Sequence, residues 1–318
     1  MKTNRIIAIA TASIIALSAV NATNTHDAVF SQVENPEIPV QIEFAGQTIS
    51  FDRIDMYERL DRELTSMIYT HGTTLLLLKR ANKYFPVLAP ILKKHGVPLD
   101  ILYLACIEST LNIRAYSPAK AAGLWQFISS TGKQYGLEIN EYVDERYHIE
   151  KATDAACRYL KKAYAEYGNW ETVMASYNAG RAGISKRLDS QLATSSFDLH
   201  LVDETSRYVF RIIAAKLIME NPAKYGFRLS SDQLYQPAEY KTVEVTGSVN
   251  DWAAWAKKQG ITYAQLREHN PWIRSSKLVN TTTKKRTAKT YQVKIPLKKS
   301  LYRSTMKKTV YNENWVVK

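Results

Sequence analysis

The chain has 318 residues, 43 Lys and Arg against 30 Asp and Glu, and a formal charge of +13. That length holds one large or two modest domains with ample core. Two cysteines exclude a disulfide framework, and six scattered histidines exclude a metal site of regular ligand spacing.

Residues 1–22 read as a secretory signal: Lys2 and Arg5, the apolar run Ile6 to Val20, and the small-residue site Val20-Asn21-Ala22. The mature protein is expected to be exported and periplasmic, without a transmembrane segment, and association with the cell envelope stays open. Residues 23–79 form an N-terminal extension. In it, Val40–Phe44 and Thr48–Phe51 alternate around Ala45-Gly46 as a hairpin, and Arg53–Tyr69 keeps helical spacing. A second helix is expected over Thr73–Tyr84, with Pro86 and Pro90 punctuating the chain after it.

Residues 91–220 read as almost purely helical, with helices after Ile149, over Trp170–Tyr177 and over Tyr208–Met219. Gly123, Gly132, Gly136, Gly168 and Gly180 mark the joints. A second module then follows: a strand over Thr242–Thr246, helices over Val249–Gln259 and Tyr263–His269, and a strand over Thr290–Pro296. Residues 297–318 form a basic tail without a clear pattern. The charge is lopsided, since residues 241–318 hold 17 Lys and Arg against 4 Asp and Glu. An exported basic segment points to acidic envelope polymers, and no nucleic acid is expected as a partner. A solvated basic surface is the plain alternative.

Glu108 ends the nearly all-apolar segment Val97–Ser109, where Pro98 suits a first helical turn. Apolar surroundings and the negative end of the helix dipole both raise a carboxyl pKa there. A carboxylic acid kept protonated near neutral pH is what a general acid for glycosidic-bond cleavage needs. The plain alternative is a helix-end Glu facing solvent. Cys106 and Cys157 either pair or lie buried apart.

Glu108-Ser109 is followed by Gly123-Leu124-Trp125-Gln126-Phe127, Ser176-Tyr177-Asn178-Ala179-Gly180 and Glu204-Thr205-Ser206-Arg207-Tyr208-Val209. In this order and at these separations, the four segments resemble the lytic transglycosylases of the goose-lysozyme-like superfamily, nearest to the murein transglycosylase D group. The resemblance covers about residues 80–220. It implies a mainly α, lysozyme-like helical catalytic domain over 80–225, with a cleft for peptidoglycan glycan strands and no cofactor. It also implies that Glu108 is the catalytic acid and base. Ser109 would orient substrate or the carboxyl, Gln126 would bond sugar, Tyr177 and Asn178 would line the cleavage subsite, Tyr208 would close it and Glu204 would support that wall. Each has a bland reading: Trp125 and Phe127 as core, Asn178 as a helix end, Glu204 as a helix-start carboxylate. Lys120 stands where the family usually has Gly, and Ile128-Ser129 where it has Met-Pro.

Residues 240–296 resemble a divergent LysM, a small α+β module, through their element order and Asn270-Pro271-Trp272. Thr246-Gly247-Ser248-Val249 replaces the usual Gly-Asp-Thr-Leu. Such a module binds glycan containing N-acetylglucosamine, or serves as a structural appendage. The family resembled works with one carboxylate and leaves 1,6-anhydro-muramoyl ends. The alternatives are a hydrolytic muramidase with Glu204 or Asp144 as second carboxylate, and a non-catalytic wall-binding protein.

Overall fold

The computed structural model describes residues 35–282 and 287–317, so the signal-peptide reading of residues 1–22 lies outside the described residues. Strands β1 (Gln41–Phe44) and β2 (Gln47–Ser50) pair antiparallel around Ala45-Gly46. Helices α1 (Ile54–Tyr69) and α2 (His71–Lys94) follow. Then come a 3-10 turn at Leu99–Ile101, α3 (Leu102–Ser109), α4 (Ser129–Gln134) and a 3-10 turn at Glu145–Tyr147. Helices α5 (Ile149–Tyr167), α6 (Trp170–Ala179), α7 (Arg181–Ser190) and α8 (Asp203–Glu220) complete the helical body. The second module holds β3 (Tyr240–Thr246), α9 (Trp252–Lys258), α10 (Tyr263–His269) and β4 (Thr290–Pro296), with β3 and β4 antiparallel. The fold is thus mainly α with a small α+β module. Among the described residues no helix is long and apolar enough to cross a membrane.

Two sequence expectations change. Pro86 and Pro90 do not end the second helix, which runs through both to Lys94. They lie four residues apart on its exposed face, while Phe85, Leu88, Ala89 and Leu92 are buried. The rings therefore meet solvent without displacing the core, and the buried face holds the helix together. Gly132 is no joint either: it lies buried inside α4, where an added Cβ would approach Ile139 Cδ1 at 3.1 Å. Cys106 and Cys157 are both buried and free.

The N-terminal extension is fused to the helical body through one apolar core. Its α1 lies along α8. Glu63 of α1, 1% exposed, accepts from Arg207 Nε at 2.7 Å and lies 3.4 Å from Arg211 Nε, both on α8. Asp100 ties the hairpin to the same helix, accepting from Ala45 N at 2.6 Å and from Lys216 Nζ at 2.6 Å. A buried carboxylate with several donors is tolerated because its lone pairs are filled.

The tail has structure that its composition hides. Asn82 Nδ2 donates to Thr309 O at 3.0 Å, and Asn82 Oδ1 accepts from Tyr311 N at 2.8 Å. Trp315 is 2% exposed, meets Phe85 edge-on at 5.8 Å, and donates its indole N–H to Met219 O at 2.6 Å. The segment thus straps α2 to α8. Trp315→Ala should destabilise the protein by about 3–5 kcal/mol, the usual cost of emptying a buried indole site. Equilibrium urea denaturation checks this; a change below about 1 kcal/mol would mean that the strap carries no load.

Candidate active site

Helix α3 is short and almost wholly apolar, and Glu108 is its penultimate residue. Thr110 then turns left-handed at φ 49° and ends it. Glu108 keeps part of its surface open to solvent while protein crowds the carboxyl. Burial pushes its pKa up to about 7, against an ordinary 4.5. The Tyr208 hydroxyl, which donates to Oε1, opposes that rise, and the nearby charge of Glu204 adds to it. The other carboxyl oxygen has no hydrogen-bond partner among the described residues.

The four motif segments meet in a closed ring of side-chain hydrogen bonds. Ser109 Oγ lies 3.0 Å from Leu124 O and 3.2 Å from Ala105 O, which ties α3 to the loop before α4. The Tyr177 hydroxyl donates to Trp125 O at 2.6 Å, which ties the same loop to α6. Asn178 Oδ1 accepts from Thr205 Oγ1 at 2.9 Å, which ties α6 to α8. Tyr208 on α8 returns to Glu108 and closes the circuit. Each bond is worth only about 1 kcal/mol net, but together they fix four elements around one carboxyl.

Tyr177 is half-buried, with its ring edge-on to Tyr159 at 5.2 Å. Burial raises the hydroxyl pKa of both Tyr177 and Tyr208, so each stays a neutral donor. Tyr208 is 2% exposed and faces the carboxyl. Asn178 is exposed at the end of α6. Glu204 is exposed and paired with Arg211 at 2.9 Å. Trp125 and Phe127 are core residues at 0% and 3% exposure, and the Trp125 indole N–H donates to Thr153 Oγ1 at 2.9 Å.

Gln126 sits between those two core aromatics with φ 47°. Its amide donates to Gly123 O at 2.8 Å, which helps hold a conformation that costs an L residue about 1 kcal/mol or more. Sequence reasoning missed the group that shapes this loop. Arg146, buried beneath it, donates Nη1 to Lys120 O at 2.8 Å and to Phe127 O at 3.1 Å. Asp144 holds Arg146 by a fork, with Nη2 to Oδ2 at 2.7 Å and Nε to Oδ1 at 3.0 Å. Lys120, where the family usually has Gly, has φ 61°, a glycine-favouring conformation. Gly123 itself is fixed by space: an added Cβ would fall 2.0 Å from Arg146 O.

The shifted carboxyl has a stability consequence. Below about pH 4.5 the folded and unfolded chains both keep the proton, and Glu108 costs nothing. Between there and about pH 7 only the folded chain keeps it, so stability falls with rising pH, and above about 7 the loss is complete. Glu108→Gln should therefore match the parent near pH 4 and exceed it near pH 8, by at most about 3 kcal/mol. Thermal melts of both proteins at the two pH values check the sign; a gain at the acid end instead would refute it.

Comparison with known proteins supports the same parts of the chain. Residues 87–198 match the transglycosylase SLT domain, and residues 241–299 match the soluble lytic transglycosylase C-terminal LysM-like domain. The membrane-bound lytic murein transglycosylase D of Escherichia coli K12 is 30% identical over 226 residues, covering 70% of this chain and 48% of that protein. The chain spans about half the length of the curated relatives it matches. Among solved structures, the 70-kDa soluble lytic transglycosylase of Escherichia coli superposes at 19% identity and a TM-score of 0.37, covering 52% of this chain and 30% of that one. The complex of a 70-kDa soluble lytic transglycosylase with bulgecin A superposes at 19% identity and a TM-score of 0.38, covering 49% and 29%. Over these stretches the chain is thus similar to murein transglycosylase D, with a segment resembling the transglycosylase SLT domain followed by one resembling the LysM-like domain of soluble lytic transglycosylases.

Proposed function

We propose that the protein is an exported peptidoglycan lytic transglycosylase acting in the periplasm. It cleaves the β-1,4 bond between N-acetylmuramic acid and N-acetylglucosamine and leaves 1,6-anhydro-muramoyl ends. The observation that carries this reading is the Glu108 carboxyl, held by Tyr208 on one oxygen and raised to a pKa of about 7 by burial. The protonated form gives its proton to the leaving glycosidic oxygen. The resulting anion takes the proton of the muramoyl C6 hydroxyl, whose oxygen attacks C1 of the same sugar. The glycosidic bond breaks, the anhydro bridge forms, and no water is consumed. Because the nucleophile is tethered, no positioned water is needed.

The alternative second carboxylates are otherwise engaged. Asp144 is clamped by Arg146, and Glu204 is paired with Arg211. Neither is poised to activate water, which favours the single-carboxylate route over the two-carboxylate scheme of ordinary glycosidases. In this reading Gln126 presents its amide to the sugar, Asn178 reaches the substrate from the end of α6, and Tyr177 and Ser109 position the wall. Glu204 sustains the high pKa of the acid, and the mechanism needs no cofactor.

Mass spectrometry of digested sacculi tests the reaction. Anhydro-muramoyl ends are expected, whereas reducing ends about 18 Da heavier would establish a muramidase instead. Glu108→Gln should abolish both products. Tyr208→Phe tests the acid: losing a hydrogen bond to the anion raises the carboxyl pKa. The alkaline limb of the rate, expected near pH 7 in the parent, should move upward by about half a unit to one unit. Turnover at the optimum should fall about tenfold or more, because the departing bond also orients the carboxyl. An unmoved limb would detach Tyr208 from the acid.

A further inference from the structure

The LysM-like module is bound to the loop region of the helical body. Asp144 N donates to Trp272 O at 2.9 Å, Arg274 N to Tyr142 O at 2.9 Å, and Val143 bridges to Ile273. Trp272 is buried between the His148 ring, stacked at 6.1 Å, and the Tyr291 ring, stacked at 5.5 Å. Arg114 of the body pairs with Glu268 of the module at 2.8 Å. Between the two lies an open cleft of about 640 Å³. The body contributes Arg114, Tyr116, Arg146 and Tyr147, and the module contributes Arg267 and Arg274.

The charge balance of this cleft is uneven. Among the described residues the only carboxylate in its lining is Asp144, consumed by Arg146, and at its rim Glu268 is consumed by Arg114. Arg267 and Arg274 have no carboxylate partner among the described residues. Arg267 Nη1 donates to the Tyr263 hydroxyl at 2.6 Å. Arg274 stacks over the Tyr147 ring at 4.5 Å and reaches only Pro271 O, at 3.5 Å. Stacking fixes a guanidinium plane while leaving its N–H fork free, the arrangement suited to a planar carboxylate. Tyr116, 60% exposed, offers a hydroxyl at the same opening. The cleft also backs onto the catalytic loop, because Arg146 reaches Phe127 O and Gln126 Nε2 lies 3.4 Å from Ala115 O.

We propose that this cleft is a subsite for the carboxylates of the peptide stems that branch from the glycan strand, with Arg267 and Arg274 as the binding groups. The inference rests on the reading of the protein as a peptidoglycan transglycosylase, and gives the LysM-like module a part in choosing which strands are cut. Stem peptides carry several carboxylates on a short flexible branch. A cleft with two unneutralised guanidinium groups beside the glycan-holding loop takes such a branch without displacing the strand.

Two measurements on the full chain test it. In the first, a free stem tetrapeptide is titrated by calorimetry into the parent and into R267Q/R274Q. Saturable binding is expected in the parent, with at least tenfold weakening in the double variant and in a tetrapeptide whose carboxylates are amidated. Equal binding of the amidated peptide, tighter binding of inorganic phosphate than of the tetrapeptide, or no saturable binding would overturn the proposal. In the second, digestion of stem-bearing sacculi is compared with digestion of glycan strands stripped of stems. The double variant should lose about tenfold in kcat/KM on the former and nothing on the latter, and an equal loss on both would overturn the proposal. Binding with no cleavage would sink only the enzymatic reading, whereas cleavage without the stem effect would sink only this subsite.

Discussion

The hydrogen bond from Tyr208 to Glu108 is the contact on which the rest of the site depends. Burial makes the ionised carboxyl expensive, and one phenolic donor favours the anion without cancelling the effect of burial. In the proposed reaction an acid that later acts as a base needs that balance, since a fully solvated Glu would ionise too early and a wholly unpartnered one too late. The opposing influence is Glu204, whose charge raises the same pKa from the exposed face of α8. Tyr208 and Glu204 are four residues apart on one helix, so a rotation of α8 would change both at once.

The protein therefore has to fix α8, and most of the unusual features outside the site do so. Glu63 is buried against α8 from α1 and shares Arg211 with Glu204, so one guanidinium links the N-terminal extension to the electrostatics of Glu108. Asp100 and Lys216 hold the same helix from the turn before α3, and Trp315 holds its far end. The extension and the tail contribute to a core that the helices around Glu108 alone would leave open. Removing an apolar contact at Trp315 and uncovering a charge at Glu63 are different injuries, but both loosen the scaffold beneath Tyr208.

The sequence made legible what depends on local pattern. The hairpin around Ala45-Gly46, α1, α5, α6, α8 and all four elements of the second module follow from periodicity and turn residues. Glu108 was visible as a carboxyl in an apolar helix, and the motif segments were visible through their resemblance to a family. What stayed hidden depends on tertiary contacts. Pro86 and Pro90 read as helix ends because nothing local says that both face water while Phe85 and Leu88 hold the other side. The tail read as a charged, patternless segment because its anchors, Tyr311 and Trp315, are isolated residues whose partners are some 230 and 96 positions away. Asp144 read as a spare carboxylate because its fork with Arg146 depends on a 3-10 turn that two acidic residues and an Arg do not announce.

Arg146 also explains why the loop beside Glu108 can afford its unfavourable backbone. Lys120 and Gln126 both adopt left-handed conformations, at φ 61° and 47°, within a few residues of each other. At about 1–2 kcal/mol each, these would unwind a free loop. One buried guanidinium accounts for the carbonyls of Lys120 and Phe127 that such a backbone leaves turned inward, and the carbonyl of its own residue closes on Gly123 so tightly that no side chain fits there. The same Arg146 lines the cleft shared with the LysM-like module, and its partner Asp144 gives its backbone N–H to Trp272 O. The strained loop that presents Gln126 and the seat of the second module are thus two faces of one ion pair. The Asp144 backbone, bonded to Trp272 O, thus joins the module to the loop that Arg146 shapes.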